Sequence, residues 1–167
     1  MNAEKKYFPK LEDITQAKIT LNKVASQTPM EKNRNLSEEF ESNIFLKRED
    51  LQTVRSYKIR GAYNKIAHLP KLSMQKGVVC ASAGNHAQGV AFSCSKLNIK
   101  GKIYMPATTP KQKIRQVEMF GKANVEIILV GDTYDAAESA AKADSEKTGM
   151  AFIHPFDDAQ IIEGQAT

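Results

Sequence analysis

The chain of 167 residues contains no tryptophan, only two cysteines and only six prolines. Cys80 and Cys94 cannot build a disulfide framework, and neither has the Cys-x-x-Cys or Cys/His spacing that holds zinc. We therefore expect two small buried thiols and no metal site. With 41% hydrophobic residues, 26% charged residues and nine glycines, the composition excludes disordered, collagen-like and low-complexity chains.

Long hydrophobic runs are also absent from the sequence. Apolar runs such as Val125–Val130 fall far short of the roughly 20 residues that a membrane span needs. Residues 1–10 are polar and lack the apolar core of a signal peptide. We therefore expect a cytoplasmic protein without a membrane partner.

Acidic residues are scarce in the middle of the chain. The whole chain has 24 Lys and Arg against 19 Asp and Glu, a net charge of +5. Residues 61–130 hold ten basic and two acidic residues, whereas residues 131–167 hold two and eight. Because the basic residues stand singly, without interleaved aromatics or a known nucleic-acid module, we expect no nucleic-acid partner. An anionic small molecule fits the positive middle of the chain better.

From residue 77 onward, β-rich runs alternate with helical stretches at a spacing of about 24 residues. The runs are Gly77–Ala81, Lys102–Met105, Val125–Val130 and Met150–Ile153. Short apolar runs joined through helices are typical of a parallel sheet with right-handed crossovers. The sequence therefore predicts an α/β fold, an open parallel sheet with helices on both faces.

Punctuating residues mark the ends of these predicted helices. Pro110 fits the first helical position after Thr109, and Gly121 and Gly149 fit helix C-terminal stops. At the end of the chain, Ala159–Thr167 has the pattern of the first turns of a further helix, with Asp157 or Asp158 as its cap.

The front of the chain follows a different rhythm. An apolar stripe from Ile14 to Val24 predicts a helix ending near Pro29, Asn43–Lys47 predicts a strand, and Ile59–Ile66 has helical spacing. We interpret residues 1–45 as a segment of an incomplete larger domain. Residues 46–155 would form a small αβα domain, and residues 156–167 would begin the return to the larger one. This division leads us to expect a truncated chain.

Lys58 is the first candidate for chemistry, because it follows Ser56 at the first turn of a predicted helix. Backbone N–H groups and the helix dipole create positive potential there, which favours the neutral amine required to form a Schiff base. A lysine near a helix start is nevertheless more often simply solvated. Its position alone therefore leaves the role of Lys58 open.

The second candidate is a small-residue turn between a strand and a helix, within Val78–Gly89. Ser82, Ala83 and Gly84 allow a ligand to approach the backbone, and a helix starting near Asn85 offers free N–H groups to an anion. The turn lacks the glycine spacing of dinucleotide sites and the ending of a Walker loop. It is either an anion-binding turn or a simple tight connection.

Four stretches resemble the threonine ammonia-lyase (threonine dehydratase) family, which belongs to the tryptophan-synthase-β-like, fold type II class of pyridoxal-phosphate enzymes. They are Leu46–Leu51, Arg55–Asn64, Ala81–Ala91 and Met105–Pro110. The resemblance covers nearly the whole chain in the right order and implies the small domain of that fold. Val54-Arg-Ser56 before the lysine resembles the biosynthetic enzyme of the isoleucine pathway.

The resemblance also implies roles for individual residues. Lys58 falls on the lysine that binds pyridoxal 5'-phosphate covalently, and Asn85 falls on the asparagine that hydrogen-bonds the phenolic oxygen of the cofactor. The loop that receives the substrate carboxylate matches Ser82, Ala83, Gly84, Asn85 and His86. We interpret His86 as a helix-start or loop residue rather than an acid–base catalyst.

The activity implied by the resemblance is a β-elimination that converts L-threonine to 2-oxobutanoate and ammonia. Lys58 would remove the Cα proton. Full-length members of the family are expected to be homo-oligomers. Two alternatives stay open: a dehydratase of serine or another hydroxy-amino acid, and a non-catalytic module that supplies the small domain to another chain.

The chain departs from the family pattern in two respects. Residues 1–167 contain neither a glycine-rich phosphate cup nor a polar partner for the pyridine nitrogen, and Gly164-Gln-Ala-Thr167 replaces the expected Gly-Gln-Gly-Thr. Without the cup, much of the affinity for the cofactor has no visible source. We therefore expect the 167-residue chain alone to bind pyridoxal phosphate weakly and to turn over little substrate.

Overall fold

The fold is that of an α/β protein with two sheets, seen in a computed structural model that describes residues 7–167. Residues 1–6, part of the polar N-terminal segment noted above, lie outside the described residues. In chain order the elements are α1 (Leu11–Thr20), β1 (Met30–Lys32), α2 (Arg34–Glu39), β2 (Phe45–Lys47), α3 (Lys58–Ala67), α4 (Lys71–Lys76), β3 (Val78–Ala81), α5 (Asn85–Leu97), β4 (Gly101–Met105), α6 (Lys111–Gly121), β5 (Val125–Leu129), α7 (Tyr134–Thr148), β6 (Ala151–Phe152) and α8 (Ala159–Gln165).

The larger sheet contains four parallel strands in the order β5-β4-β3-β6. The chain steps from β3 to β4 to β5 in one direction and then crosses back to place β6 on the other side of β3. The strand order therefore reverses next to the carboxyl end of β3. In open α/β sheets, ligands collect in the crevice at such a reversal.

Alternate residues of β3 face two separate apolar clusters. Val78 and Cys80 pack in a cluster with residues of α3, α5, α6 and α8, whereas Val79 and Ala81 pack with Ala137 and other residues near α7. All four β3 residues are fully buried, as expected for a strand covered on both faces. The predicted α/β fold, a parallel sheet with helices on both faces, is confirmed.

The predicted helix boundaries hold at some positions and shift at others. Gly149 ends α7 with a φ of +69°, as predicted from its freedom to adopt the left-handed conformation. Pro110 is the N-cap of α6 rather than its first residue. Helix α1 ends at Thr20, and the predicted continuation toward Pro29 is wrong. Lys23 has a φ of +62°, which cannot belong to a right-handed helix.

Helix α8 lies directly on α3, and their backbones touch at two glycines. A Cβ atom at Gly164 would lie 2.7 Å from both the Arg60 carbonyl oxygen and the Gly61 Cα atom. The helix is capped by Asp158, whose carboxylate accepts from the N–H groups of Gln160 and Ile161. The predicted cap is therefore confirmed, and α8 fixes the position of α3.

The front of the chain is less buried than the four-stranded sheet. Every residue of β1 and β2 is exposed, and Ala17 is the buried residue of α1. Within residues 7–167, no helix has the length and apolar character required to span a bilayer. In the same part of the chain, no group of His, Cys, Asp and Glu side chains could hold a metal ion.

Hydrogen exchange should distinguish these two parts of the chain. We expect backbone amides in Ile14–Val24 to exchange faster than those in Val125–Val130, because α1 buries little apolar surface whereas β5 is hydrogen-bonded along β4. Mass spectrometry of the exchanging 167-residue chain measures both segments together. Slower exchange in Ile14–Val24 would argue against a separate larger domain for residues 1–45.

Candidate functional site

The candidate site begins at the carboxyl end of β3. The Ser82 N–H group donates to the Tyr104 carbonyl oxygen at 3.0 Å, which continues the sheet by one residue. The chain then turns, and the Gly84 N–H group donates to Ser82 Oγ at 3.2 Å. Helix α5 starts at Asn85 immediately after this turn. The predicted strand, turn and helix start are thus present in that order.

No side chain among the described residues caps the first turn of α5. Its N-cap residue is Gly84, and the Gln88 N–H group bonds to the Gly84 carbonyl oxygen at 3.3 Å. The N–H groups of Asn85, His86 and Ala87 bond to no acceptor within residues 7–167. A Cβ atom at Gly84 would meet nothing within 4 Å. This helix start is therefore an open cradle that can accept an anion.

Lys58 is the first residue of α3, as the sequence predicts, and its side chain is half-buried. Its Nζ atom donates to the Pro155 carbonyl oxygen at 2.6 Å and lies 5.4 Å from the centre of the Tyr57 ring. Within the described residues, Lys58 makes no salt bridge. The amine is therefore held by a neutral group rather than neutralised by a carboxylate.

Glycine at position 89 brings Lys58 close to the cradle. A Cβ atom at Gly89 would lie 3.0 Å from the Lys58 carbonyl oxygen and 3.3 Å from Ala62 Cβ. Since Gly89 lies about one turn after Asn85, this close approach places the first turns of α3 and α5 side by side. The structure thus brings Lys58 and the Ser82–His86 loop together at the carboxyl end of the sheet.

His86 lies in the same first turn of α5 and is 3% exposed. Its Nε2 atom is 3.0 Å from the Ile153 carbonyl oxygen. Because a carbonyl only accepts, Nε2 carries the proton and Nδ1 does not. Burial lowers the pKa of His86 to about 4, and the positive charge of Lys58 acts in the same direction. The ring is therefore neutral at pH 7.

This buried histidine should make the stability of the chain depend on pH. An unfolded histidine takes up a proton near pH 6.5, whereas His86 does so only near pH 4. Between these values acidification favours the unfolded state, so stability should fall by roughly 1.4 kcal/mol per pH unit. We expect His86→Gln to remove this part of the slope in urea unfolding between pH 6.5 and pH 4.5.

The matched control for that measurement is His68→Gln, which changes an exposed histidine and retains His86. The control should keep the slope of the parent chain. Equal slopes in the parent chain and in His86→Gln would contradict the assignment of His86 as a buried neutral group.

An ion pair between Arg60 and Glu49 anchors the start of α3. Arg60 donates to both carboxylate oxygens of Glu49, from Nε at 2.9 Å and from Nη2 at 2.8 Å. Burial alone would raise the pKa of Glu49, but hydrogen bonds from Arg60, Thr28 and Gln52 outweigh it and hold the pKa at about 2. Glu49 is therefore ionised, and Lys58, two residues before Arg60, begins a firmly anchored helix.

Sequence reasoning missed two parts of this arrangement. The Ile153–Pro155 segment contributes backbone carbonyls, which every residue type possesses, so no side-chain pattern could have indicated it. The Glu49–Arg60 pair joins two charged residues of unremarkable spacing. Their closeness depends on the path of the chain between them, which the sequence alone does not reveal.

The class of the protein follows from a comparison with known families. The profile of the family described as "Pyridoxal-phosphate dependent enzyme" matches residues 21–167. The chain therefore belongs to the family of pyridoxal-phosphate dependent enzymes. The predicted cofactor class is thereby confirmed at the level of the family.

Within this family, the chain is similar to enzymes named threonine dehydratases. The chain is 57% identical over 157 residues to the biosynthetic L-threonine dehydratase IlvA of Halalkalibacterium halodurans, covering 94% of this chain and 38% of the relative. It is 54% identical over 154 residues to the enzyme of the same name from Bacillus subtilis, covering 92% and 36%. The predicted resemblance to threonine dehydratases is confirmed, and the chain spans under two fifths of these relatives.

Solved structures agree with the fold. The processed form of threonine deaminase isoform 2 from Solanum lycopersicum superimposes with a TM-score of 0.83 at 40% identity, covering 99% of this chain and 46% of that one. Maize serine racemase superimposes with a TM-score of 0.86 at 30% identity, covering 95% and 47%. The arrangement of helices and strands is therefore that of known fold type II enzymes.

The residues present fit part of a pyridoxal-phosphate site. Within residues 7–167, the Lys58 amine has no salt bridge and lies beside a helix start whose N–H groups are free, and Gly84 leaves space in front of that start. Asn85, the first residue of α5, is exposed, so its side-chain amide can contact a bound ligand. The Lys58 amine can react with an aldehyde, the Asn85 amide can donate to a ring oxygen, and the N–H groups at the start of α5 can bind a carboxylate. No glycine-rich segment that could cup a phosphate occurs in residues 1–167.

Proposed function

We propose that this chain supplies the lysine and the carboxylate cradle of a threonine dehydratase, which converts L-threonine to 2-oxobutanoate and ammonia for isoleucine biosynthesis. The observation that carries this proposal is the Lys58 amine beside the open start of α5, at the carboxyl ends of β3 and β6. The names of the relatives support threonine as the substrate. Because the chain spans only 38% of the first relative, the complete activity is part of the proposal.

Each residue of the candidate site has a role in this proposal. Lys58 and Asn85 would hold the cofactor, by its aldehyde carbon and its ring oxygen respectively. When bound, pyridoxal phosphate supplies a ring that withdraws electrons from the substrate Cα atom. The Ser82–His86 loop binds the substrate carboxylate through its N–H groups, and the Lys58 Nζ atom accepts the proton that leaves Cα.

The geometry supports these roles through charge and orientation. A carboxylate at the start of α5 bonds N–H groups that have no other acceptor within residues 7–167, and the helix dipole favours its charge. Lys58 begins the neighbouring helix α3, whose first turn lies beside the first turn of α5. Lys58 needs no carboxylate partner to reach this position, because the Pro155 carbonyl already holds it there.

The proposal extends to domains, compartment and assembly. Residues 1–45 would belong to a larger domain, residues 46–155 to the small αβα domain, and residues 156–167 to the return segment. Exposed apolar side chains of the front segment, including Met30 and Phe45, support a covering domain. Two free buried cysteines fit a reducing cytoplasm. The full-length enzyme would be a homo-oligomer, as its family resemblance implies.

A chimera tests the proposed function. Residues 1–167 are joined to the part of the H. halodurans relative that follows the aligned segment, and 2-oxo acid release is measured with threonine and with serine. We expect the chimera to release 2-oxobutanoate from threonine, with the relative itself as positive control. The 167-residue chain alone should release little.

The other outcomes of this assay separate the alternatives. Faster turnover of serine than of threonine would favour a dehydratase of another hydroxy-amino acid. A soluble, folded chimera that turns over neither amino acid would overturn the catalytic proposal in favour of a non-catalytic module.

A further inference from the structure

The Ile153–Pro155 segment lies between the two helices that form the candidate site. Directly after β6, the Ile153 N–H group continues the sheet by donating to the Val79 carbonyl oxygen at 2.8 Å. The next two contacts come from side chains: His86 Nε2 donates to the Ile153 carbonyl at 3.0 Å, and Lys58 Nζ donates to the Pro155 carbonyl at 2.6 Å. One short segment therefore binds α5 and α3 together.

The far side of this segment is fixed independently. The His154 Nδ1 atom accepts from the N–H groups of Phe156 at 3.2 Å and Asp157 at 2.7 Å, forming a tight local turn. Asp158 then caps α8 and forms a salt bridge with Lys65 at 2.7 Å. On the near side, the Ile153 carbonyl receives its hydrogen bond from His86. Loss of that bond would leave the start of the segment held only through the Ile153 N–H group, while the Asp157–Asp158 end stays in place.

We infer that His86 is a positioning residue: through the Ile153 carbonyl it holds the segment whose Pro155 carbonyl binds the Lys58 amine. His86 lies in the same turn of α5 as the cradle, so it fixes the amine relative to the N–H groups that receive an anion. Its 3% exposure leaves the ring little freedom to move. The inference rests on the proposed function only in taking Lys58 as the cofactor-binding lysine.

The buried Nδ1 atom of His86 supports a positional role over a packing role. This nitrogen has no hydrogen-bond partner within the described residues, although it is buried. An apolar side chain of similar size would avoid that cost. The imidazole provides a donor to the Ile153 carbonyl, which an apolar side chain could not provide.

Lysine reactivity tests this inference without any cofactor. The 167-residue chain is treated with trace formaldehyde and borohydride, so that each molecule is methylated once at most, and mass spectrometry gives the rate at each lysine. We expect Lys58 to react several-fold more slowly than Lys71, whose side chain is exposed, because its amine is bound to the Pro155 carbonyl.

Two variants of His86 then isolate the hydrogen bond. In His86→Leu the ratio of Lys58 to Lys71 methylation should rise about fivefold, the factor expected for the loss of one ordinary hydrogen bond. In His86→Gln the side-chain amide can donate to the Ile153 carbonyl again, so the ratio should return to that of the parent chain. His86→Asn, whose amide is too short to reach, replaces His86→Leu if the latter does not fold.

An internal control separates positioning from general loosening. Lys102 is held by Asp144 at 2.9 Å on β4, away from the site, and its methylation should not change in any variant. A parallel rise at Lys102 and Lys58 would overturn the inference, as would an unchanged Lys58 ratio in His86→Leu or a failure of His86→Gln to restore it. None of these results bears on threonine turnover by the chimera, so the two proposals fail independently.

Discussion

Lys58→Ala is expected to lower threonine turnover by the chimera about 10³-fold or more, the upper part of the range for loss of a proton-transferring group. Lys58 provides the amine beside the N–H groups at the start of α5 that bond to no acceptor in the described part of the chain. In the proposed mechanism, alanine would remove both the covalent attachment of the cofactor and the group that takes the Cα proton. The measurement is the steady-state rate of 2-oxobutanoate release at saturating threonine.

The matched control is Lys71→Ala, which removes an exposed lysine on α4 and should leave the rate unchanged. Circular dichroism of both variants confirms that any loss of activity occurs in a folded protein. A Lys58→Ala chimera that keeps more than about a hundredth of the parent rate would contradict the role of Lys58, because general acid–base groups contribute at least about 10².

Gly164→Ala is expected to destabilise the 167-residue chain by about 3 kcal/mol, near the upper end of the usual cost of overpacking. The added Cβ atom would lie 2.7 Å from two atoms of the α3 backbone, the Arg60 carbonyl oxygen and the Gly61 Cα atom. Neither atom belongs to a flexible side chain, so α8 must move away from α3 as a unit. Urea unfolding measures the change in the free energy of unfolding.

The control for this prediction is Ala166→Leu, which adds a larger side chain at an exposed position next to the same helix. Its unfolding free energy should stay close to that of the parent chain, as is usual for surface substitutions. If Gly164→Ala and Ala166→Leu proved equally stable, the close crossing of α3 and α8 would be wrong.

The core of the fold could be predicted because short stretches of sequence indicate its strands and the ends of its helices. The residues of β3 form a continuous apolar run, since both faces of the strand are covered. Gly149 ends α7 in the left-handed conformation that glycine adopts without strain. Such signals require no knowledge of distant contacts. They were enough to predict the order of strands and helices from residue 77 onward.

Three short elements, α2, α4 and β1, were not predicted from the sequence, whereas the equally short strand β2 lies within the predicted strand Asn43–Lys47. Helices α2 and α4 have six residues each. Strand β1 has three residues, and all three are exposed. A helix needs about three turns before its apolar residues show a clear period, and β1 contains only one apolar residue, Met30. These elements therefore carry no periodic signal, although α2 has a side-chain cap from Asn33.

The candidate site likewise contains parts that the sequence indicates and parts that it does not. Lys58 was visible because the apolar spacing of Ile59–Ile66 predicts a helix after Ser56, and the turn before Asn85 was visible because small residues are typical of turns. Their meeting was implied by the resemblance to a family rather than by spacing. The Pro155 carbonyl, which holds the Lys58 amine, has no signature at all. Contacts made by backbone atoms can be recognised only once the fold is known.

The departure at Ala166 also has a structural explanation. The family pattern led to an expected glycine at this position, yet Ala166 has a φ of −78° and is exposed. That conformation is open to every residue, so alanine fits there without strain. Gly164, two residues earlier, is the position at which the structure requires the absence of a side chain.

We propose that the Lys58 amine, among all lysines of the chain, lies where a cofactor aldehyde would meet it. The most direct measurement is to incubate the 167-residue chain with excess pyridoxal phosphate, reduce with borohydride and map the modified lysine by mass spectrometry. We expect preferential labelling of Lys58, below one label per chain because the phosphate cup is absent from residues 1–167. Preferential labelling of another lysine, with Lys58 unmodified, would contradict it.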